Sequence, residues 1–305
     1  MGSGVTVILT GRHPETVITD VRSHIERLES LWSRFRPDSE ISHLNRRTGH
    51  EVMVSAETAE LVEFMILGRR ATRGRFDPTM LNSIIRVGYT GSFGADQPAV
   101  PTTIGFDFDS PGDTESIVVR RLDHRFGITL PHGTVLDPGG LKGLAADMVL
   151  RRLIDAGLPD ALVSIGGDIA VNGSSPDPDH GCWTLNVLDP LARHDVSYVR
   201  LSRGGVATSS SMLRTFPTYQ GSSHHIVDPR TRDCTANGVF GATVVAGSAA
   251  WAEVFSKVVM VDGRSALGEL DDLGLGAMIV DVHGRAANRS FREFETHTTT
   301  GLVDA

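Results

Sequence analysis

The residues best suited to chemistry lie in one short segment, Asp-Pro-Gly-Gly-Leu-Lys-Gly at residues 137–143. It combines a carboxylate, Asp137, with an ammonium, Lys142, and its glycines allow a ligand to approach the backbone closely. The apolar pattern that continues to Ile154 predicts a helix directly after this turn. Because the first N–H groups of a helix lack intrahelical acceptors, such a junction favours a phosphate. A glycine-capped loop without a ligand is an equally good interpretation of this segment alone.

A second group of polar residues lies on a helix predicted from Ser248 to Val261, which is otherwise apolar nearly all round. Glu253, Ser256 and Lys257 are spaced by three and four residues and therefore share one face of that helix. A surface ion pair is the simplest interpretation of this spacing. The apolar surroundings favour instead a polar trio that faces a pocket.

Three further segments carry side chains that could bind or catalyse. Phe35 lies between two arginines, where its ring could stack on a planar ligand, although a capped turn explains this segment as well. The small-residue run at residues 205–211 offers hydroxyl and N–H groups, with Thr208 and Ser209 as candidate cofactor-binding residues. A pair of adjacent histidines ends a strand further on, and one of them could act as a general base.

The spacing of apolar residues also predicts the elements that must position these groups. Helices are expected from Thr16 to Trp32 and from Ala56 to Thr72, besides the two already described. Strands are expected at residues 5–10, 117–120, 127–130, 161–165, 183–188 and 197–201, the last two as a hairpin pair. The strand at residues 161–165 runs into Gly166-Gly167-Asp168, which is suited to the polar edge of a ligand but is also a common turn. Both helices and strands are thus predicted along the chain.

Composition limits the function classes that remain. The chain has 305 residues, of which 40% are hydrophobic and 22% charged, as expected for a soluble globular protein. A net charge of −8 argues against a general nucleic-acid binder, because phosphate backbones attract basic surfaces. No apolar run is long enough to span a bilayer, and no signal peptide is recognisable, so a cytoplasmic location is expected. The only two cysteines, Cys182 and Cys234, form no metal-binding or disulfide pattern.

Taken together and in this order, the segments resemble the ApbE-type FAD:protein FMN transferases. The resemblance covers almost the whole chain. It rests on Met1-Gly2-Ser3, residues 33–42, Phe76-Asp77-Pro78-Thr79, residues 137–143, residues 166–169, Ala207-Thr208-Ser209, residues 225–230 and residues 252–257. It implies an α/β (α+β) fold that is ApbE-like and T-fold-like. Its two lobes are expected to form a single domain over residues 1–305, with FAD bound in a groove between the lobes.

The resemblance also implies a reaction and a set of site residues. The family moves FMN from FAD to a Ser or Thr hydroxyl of an acceptor protein, within a Ser/Thr-Gly-Ala-Thr signature, and releases AMP. The positions that match its FAD contacts are Met1, Phe35, Arg75, Phe76, Asp77, Asp137, Lys142 and Ile226. His225 or Asp228 is expected to accept the proton of the incoming hydroxyl. Mg²⁺ is expected near the Gly140 carbonyl and the helix that carries Glu253 and Ser256.

Two residues depart from the family's metal motif. Its helix aspartate is Glu253 here, and its threonine is Lys257. An ammonium beside a hard dication is unfavourable, so the two should exclude each other. Either Lys257 acts catalytically as the cation that faces the pyrophosphate, or the chain binds FAD without transferring FMN. A weakened or lost dependence on Mg²⁺ is therefore expected. The alternatives to a transferase are an FAD-binding or storage protein and an FAD pyrophosphatase that yields FMN and AMP.

Overall fold

The computed structural model describes residues 3–89, 112–123, 125–139, 141–176, 181–191, 194–213, 215–218, 221–296 and 302–303. The chain divides into two compact units. The first unit comprises Met1–Gly2, Glu26–Gly140 and Arg214–Cys234, and the second comprises Ser3–Ile25, Leu141–Leu213 and Thr235–Ala305. The single domain over residues 1–305 that the sequence suggests stays a prediction.

The second unit is built on a seven-stranded sheet. Its strands are β1 (Val5–Leu9), β5 (Ala161–Ile165), β6 (Asp168–Asn172), β9 (Arg203–Ser210), β12 (Val239–Ala246), β13 (Gly276–Asp281) and β14 (Gly284–Ala287). They lie in that order across the sheet, and every neighbouring pair is antiparallel. All five residues of β5 are buried, as expected for a strand whose sheet is covered on both faces.

A smaller sheet covers one face of the large sheet. It consists of β15 (Glu295–Thr296), β8 (Asp195–Leu201), β7 (Trp183–Leu188) and β16 (Leu302–Val303), in that order. The core of the second unit includes Trp183, which is fully buried, together with Val206 and Met278 from the large sheet. The indole Nε1 of Trp183 donates to the Asn172 carbonyl at 3.2 Å, so this buried ring keeps a hydrogen bond.

Two helices pack on the large sheet, α5 (Lys142–Asp155) against β5 and β6 and α6 (Ala249–Asp262) against β9 and β12. Side chains alternate along a strand, so the residue that meets α6, Ser209, lies on the opposite face from Val206 in the core. Ser248 caps α6 by accepting from the Trp251 N–H at 3.3 Å. After a 3₁₀ turn at Gly263–Ser265, helices α7 (Ala266–Asp272) and α8 (Arg289–Phe294) complete the unit.

The first unit combines helices with two small sheets. Its helices are α2 (Glu40–Arg46), α3 (Ala56–Ala71) and α4 (Leu81–Arg86), and helix α1 (Glu15–Trp32) contributes residues to both units. The strands β2 (Glu51–Val54), β4 (Arg125–Thr129) and β3 (Val118–Leu122) form one antiparallel sheet in that order, and β10 (Thr215–Thr218) and β11 (Gly221–His224) form a hairpin. Ser39 and Ser55 cap α2 and α3 by accepting from N–H groups three residues further on.

The mixed helix and sheet class predicted from the sequence is confirmed, as are the predicted helices and strands to within a few residues. One boundary differs in a way that matters for function. Lys142, expected in the glycine turn, is the first residue of α5. The turn itself is therefore shorter, and the lysine side chain projects from the rigid first turn of a helix.

Within the part of the chain that the structure describes, no helix combines the length and the apolar character needed to cross a membrane. The cytoplasmic location expected from the sequence stays a prediction.

Candidate functional site

Two lysines meet one buried carboxylate in the second unit. Glu253 on α6 is 2% exposed. Its Oε1 lies 3.2 Å from the Lys142 Nζ and 3.2 Å from the Lys257 Nζ. Its Oε2 accepts the Gly143 N–H at 2.8 Å. Lys142 also contacts the Asp168 Oδ2 at 2.7 Å, so two carboxylates and two ammonium groups form one cluster. We call Lys142, Asp168, Glu253 and Lys257 the charge cluster.

Burial and charge act in opposite directions on the two carboxylates of this cluster. Burial favours the neutral form of Glu253, but the adjacent Lys142 and Lys257 ammonium groups outweigh it and lower its pKa. Burial and the negative charge of Glu253 raise the pKa of Asp168, against the attraction of Lys142. Glu253 is therefore the firmly ionised member, and it holds both ammonium groups.

The lysine side chains are the more accessible part of the cluster. The side chains of Lys142 and Lys257 are 14% and 20% exposed, against 4% for Asp168 and 3% for Glu253. Each lysine thus has its ammonium against a buried carboxylate and a side chain that solvent partly reaches. Such an arrangement can bind a phosphate or another anion, because the positive charges are fixed in place before the anion arrives.

Two glycines allow the close packing around the charge cluster. A Cβ on Gly143 would lie 2.6 Å from the Ala249 carbonyl carbon, so only glycine lets α5 approach α6 this closely. Gly166 has a φ of +63°, and a Cβ there would lie 3.0 Å from the Lys142 Cε. The double glycine after β5 therefore both makes the turn and leaves space for the lysine chain.

The N-termini of α5 and α6 are capped by each other. Asp147 on α5 accepts the Ala249 and Ala250 N–H groups of α6 at 3.0 and 2.8 Å. Glu253 on α6 accepts the Gly143 N–H of α5 in return. Each carboxylate satisfies donors that the partner helix leaves unpaired, and each lies at the positive end of a helix dipole. This reciprocal capping fixes Lys142 and Glu253 relative to each other.

The hydroxyl residues expected at the site separate onto two faces of the sheet. Ser256 donates to the Glu253 carbonyl at 2.8 Å, so its single proton is used and Ser209 donates to it at 2.7 Å. Thr208 instead forms a 2.9 Å hydrogen bond with Thr243, on the face away from α6. Ser209 and Ser256 thus adjoin the charge cluster, and Thr208 does not.

In the first unit, Arg34 joins an aromatic residue to the predicted Asp137. Its Nε lies 3.2 Å from the Asp137 Oδ1, and both side chains are almost buried. Its guanidinium carbon lies 4.3 Å from the Phe35 ring centre and 5.1 Å from that of Tyr89. The Tyr89 ring in turn lies 6.0 Å from the ring of His225. The structure therefore brings Phe35, Asp137 and His225 into one neighbourhood, with Arg34 and Tyr89 as the connecting residues.

The backbone around Asp137 is held on both sides. Asn45 on α2 donates to the Leu136 carbonyl and accepts the Leu136 N–H, both at 2.8 Å. The Asp137 N–H donates to the Pro78 carbonyl at 2.8 Å. The side chain of Asp137 also accepts the Gly139 N–H at 3.1 Å, which closes the turn. These bonds fix the segment that precedes the glycines.

Asp77 organises the loop between α3 and α4. Its Oδ1 accepts from the N–H and hydroxyl of Thr79 at 2.8 and 2.6 Å, and its Oδ2 lies 3.1 Å from the Arg69 Nε. Phe76 next to it is buried, and its N–H donates to the Thr72 hydroxyl. Arg75 donates to the Thr72 carbonyl at 2.8 Å. The predicted contacts Arg75, Phe76 and Asp77 are thus brought together in one ordered loop.

The two candidate proton acceptors differ in their surroundings. Asp228 forms an ion pair with Arg230 at 2.8 Å. Burial raises the pKa of Asp228, but hydrogen bonds from Arg230 outweigh it, so the net pKa lies below its usual range. A carboxylate stabilised in this way is a weak base. His225 follows the end of β11 next to Ile226, which is buried.

The described residues do not fit Mg²⁺ at Glu253. The two oxygens of this carboxylate together already accept three donors, and the Ser256 hydroxyl donates its proton to the Glu253 carbonyl. Two unit charges 4 Å apart interact by about 4 kcal/mol at an effective dielectric constant of 20, so an ammonium would oppose a dication by about twice that. Among the residues that the structure describes, no three His, Cys, Asp or Glu side chains are placed to hold a metal ion.

Some of the residues described above were named from the sequence and others were not. Met1 and Gly140, predicted as a cofactor contact and a metal ligand, lie outside the described residues. The sequence reasoning missed Asn45, Tyr89 and Asp147. Asp147 gave a usable signal, because it is a carboxylate within the otherwise apolar residues 144–150.

Comparison with known proteins gives consistent similarities. The model of the ApbE family matches residues 1–279. FAD:protein FMN transferase of Klebsiella pneumoniae (strain 342) is 24% identical over 283 residues, which cover 90% of this chain and 85% of the relative. FAD:protein FMN transferase of Vibrio cholerae is 25% identical over 262 residues, which cover 82% of this chain and 74% of the relative.

Solved structures extend the similarity to the fold. The crystal structure of the ApbE protein from Thermotoga maritima superposes with a TM-score of 0.82 and 25% identity, over 97% of each chain. The flavin transferase ApbE from Vibrio cholerae superposes with a TM-score of 0.77 and 22% identity, over 96% of each chain.

Proposed function

This chain belongs to the ApbE family, and we propose that it moves FMN from FAD to a Ser or Thr hydroxyl of an acceptor protein and releases AMP. The observation that carries this proposal is the charge cluster at the start of α5. It holds two lysine ammonium groups in fixed positions, and fixed positive charges of this kind can bind a pyrophosphate. The names of the curated relatives, which are FAD:protein FMN transferases, support the same reaction.

The chemistry follows from the charges on a dinucleotide. The acceptor oxygen attacks the phosphorus on the FMN side, the bond from that phosphorus to the bridging oxygen breaks, and AMP leaves with both bonding electrons. Negative charge accumulates on the phosphoryl oxygens and on the leaving group. Lys142 and Lys257 are proposed to stabilise that charge, and their fixed positions avoid the cost of reorganisation during the step.

The hydroxyl proton must go to a base. We propose His225, because the competing Asp228 is held by Arg230 and its pKa is lowered. Replacement of His225 by Ala should abolish transfer and leave FAD binding measurable. Transfer at the wild-type rate in that variant would contradict the assignment.

The remaining predicted contacts are proposed to bind FAD. They are Phe35, Arg75, Phe76, Asp77, Asp137, Lys142, Thr208, Ser209 and Ile226, with Met1 outside the described residues. Support comes from the ordered Asp77 loop and from the Arg34 stack on Phe35, which present aromatic and charged groups in fixed positions. Thr208 has the weakest support, since its hydroxyl bonds to Thr243.

The test is incubation with FAD and a peptide that carries the Ser/Thr-Gly-Ala-Thr signature, with products read by intact mass and AMP by chromatography. Transfer adds the mass of FMN less one water to the peptide and releases one AMP per adduct. AMP release without peptide would indicate a pyrophosphatase. Bound, intact FAD with no AMP would indicate a storage protein, an alternative that the ion pairs of Glu253 with two lysines favour over the pyrophosphatase.

A further inference from the structure

Both lysines of this chain lie in the charge cluster. Of its 29 lysine and arginine residues, Lys142 and Lys257 are the two lysines, and every other cationic position is an arginine. The fold brings these two residues, 115 positions apart in the sequence, onto the same carboxylate oxygen of Glu253, each at 3.2 Å. A lysine ammonium is a compact point charge, whereas a guanidinium is a planar fork that needs more space. The site therefore concentrates compact positive charge.

The positive and negative charges within the charge cluster balance without a metal ion. Two ammonium groups balance two carboxylates, and the Gly143 N–H donates a hydrogen bond to the second carboxylate oxygen of Glu253. Lys257 is one helical turn from Glu253 and also donates to its carbonyl at 3.3 Å, so its position is fixed by its own helix. The same side chain that blocks a dication supplies a positive charge in its place.

We propose that Lys257 is the built-in cation of this site, so that the chain binds and uses FAD without Mg²⁺ or another divalent ion. This inference rests on the proposed function, and it assigns Lys257 a direct contact with the FAD pyrophosphate. Lys142 would contact the same group, and Glu253 would position both ammonium groups without touching FAD.

The first test measures FAD affinity by the quenching of flavin fluorescence, in EDTA and in millimolar MgCl₂. The wild-type affinity should agree within about twofold between the two conditions. Lys257→Met keeps the length of the side chain and removes its charge, and it should weaken binding by about tenfold or more, as expected for a lost charge-assisted hydrogen bond. Lys257→Arg should restore part of that loss.

Arg152→Met is the matched control, because it removes one positive charge from the same helix as Lys142. Arg152 forms a half-exposed ion pair with Asp20 at 2.6 Å. The Arg152→Met substitution should leave FAD affinity unchanged. A wild-type affinity that falls tenfold in EDTA, or a Lys257→Met affinity equal to that of the wild type, would overturn the proposal.

Two measurements on the wild-type protein keep the proposal testable if Lys257→Met does not fold. Titration of MgCl₂ into FAD-loaded protein, followed by calorimetry, should show no stoichiometric binding. An amine-reactive acylating reagent can label only two side chains in this chain besides the α-amino group, and FAD should protect both lysines while MgCl₂ alone protects neither. Stoichiometric Mg²⁺ binding, or protection of Lys257 by MgCl₂, would refute a built-in cation.

The outcome also separates this inference from the proposed function. FAD binding in EDTA without any labelled peptide would contradict the transferase and leave the built-in cation intact. Peptide flavinylation that occurs only with MgCl₂ would confirm a transferase and overturn the role of Lys257.

Discussion

The close approach of α5 and α6 can be tested by adding one methyl group, in Gly143→Ala. The new Cβ would lie 2.6 Å from the Ala249 carbonyl carbon and 2.9 Å from the Ala250 nitrogen, and would also contact the Ala249 oxygen. Ordinary van der Waals contact begins at 3.4 Å, so the nearer of these distances is short by about 0.8 Å. Both obstacles are backbone, which cannot rotate away. The two helix N-termini must therefore move apart.

The energetic cost has three parts. Overpacking of a tight contact costs about 1–3 kcal/mol. The movement also lengthens the bonds from Glu253 to Gly143 and from Asp147 to Ala250, both 2.8 Å, and hydrogen bonds to charged groups are each worth about 1.5–3 kcal/mol. Higher helix propensity of alanine returns about 0.5–1 kcal/mol. We expect a net loss of about 2–5 kcal/mol of unfolding free energy.

The assay is urea unfolding followed by circular dichroism, together with FAD affinity. Gly268→Ala is the matched control, because Gly268 lies within α7 and a Cβ there meets nothing within 4 Å. The control should gain about 0.5–1 kcal/mol from helix propensity alone. FAD affinity should fall in Gly143→Ala, since Lys142 and Glu253 shift relative to each other, and stay unchanged in the control. If both variants were equally stabilised, the reciprocal capping of these helices would be wrong.

Three further predictions concern single residues. Asn45→Ala leaves the buried N–H and carbonyl of Leu136 without their partner. The free energy of unfolding, measured by urea titration, should fall by about 2–4 kcal/mol. A loss below about 0.5 kcal/mol, as for a surface substitution, would contradict the role of the Asn45 hydrogen bonds. Burial raises the pKa of Asp147 from 3.8 to about 6. Between these values the folded protein retains a proton that the unfolded chain releases. The contribution of this group to the free energy of unfolding should therefore fall by up to about 3 kcal/mol as pH rises from about 4 to 6. The urea midpoint of Asp147→Asn, measured over the same pH range, should lack that part of the decline; an unchanged pH profile would exclude the raised pKa. Arg34→Lys keeps the positive charge, but a lysine cannot both stack on the Phe35 ring and pair with Asp137, so FAD affinity should fall by about three- to tenfold. Wild-type affinity in this variant would show that FAD binding does not depend on the guanidinium group of Arg34.

Much of the local structure could be predicted from the sequence, because it depends on residues close to one another. The apolar spacing located α1, α3, α5 and α6, and the alternating strands predicted the β7–β8 hairpin. The polar face formed by Glu253, Ser256 and Lys257 followed from helix periodicity alone, and the structure confirms that Glu253 and Ser256 are buried. The order of short motifs was sufficient to identify the family.

Contacts between distant segments could not be predicted in this way. No spacing rule relates Lys142 to Glu253, which are 111 residues apart, or Asn45 to Leu136, which are 91 apart. Thr208 and Ser209 are neighbours in the chain, yet the sheet turns them to opposite faces, and only the position of α6 decides which one reaches the charge cluster. Sequence periodicity fixes the direction of a side chain relative to its own helix or strand.

The sequence by itself thus determined which chemical groups this protein carries and on which elements they lie. The tertiary structure decided that the two lysines share one buried carboxylate, so that both oxygens of Glu253, a predicted metal ligand, already accept N–H donors. The physical reason is that electrostatic interaction depends on the distance between charges and on their burial, and both are set by the packing of α5 against α6.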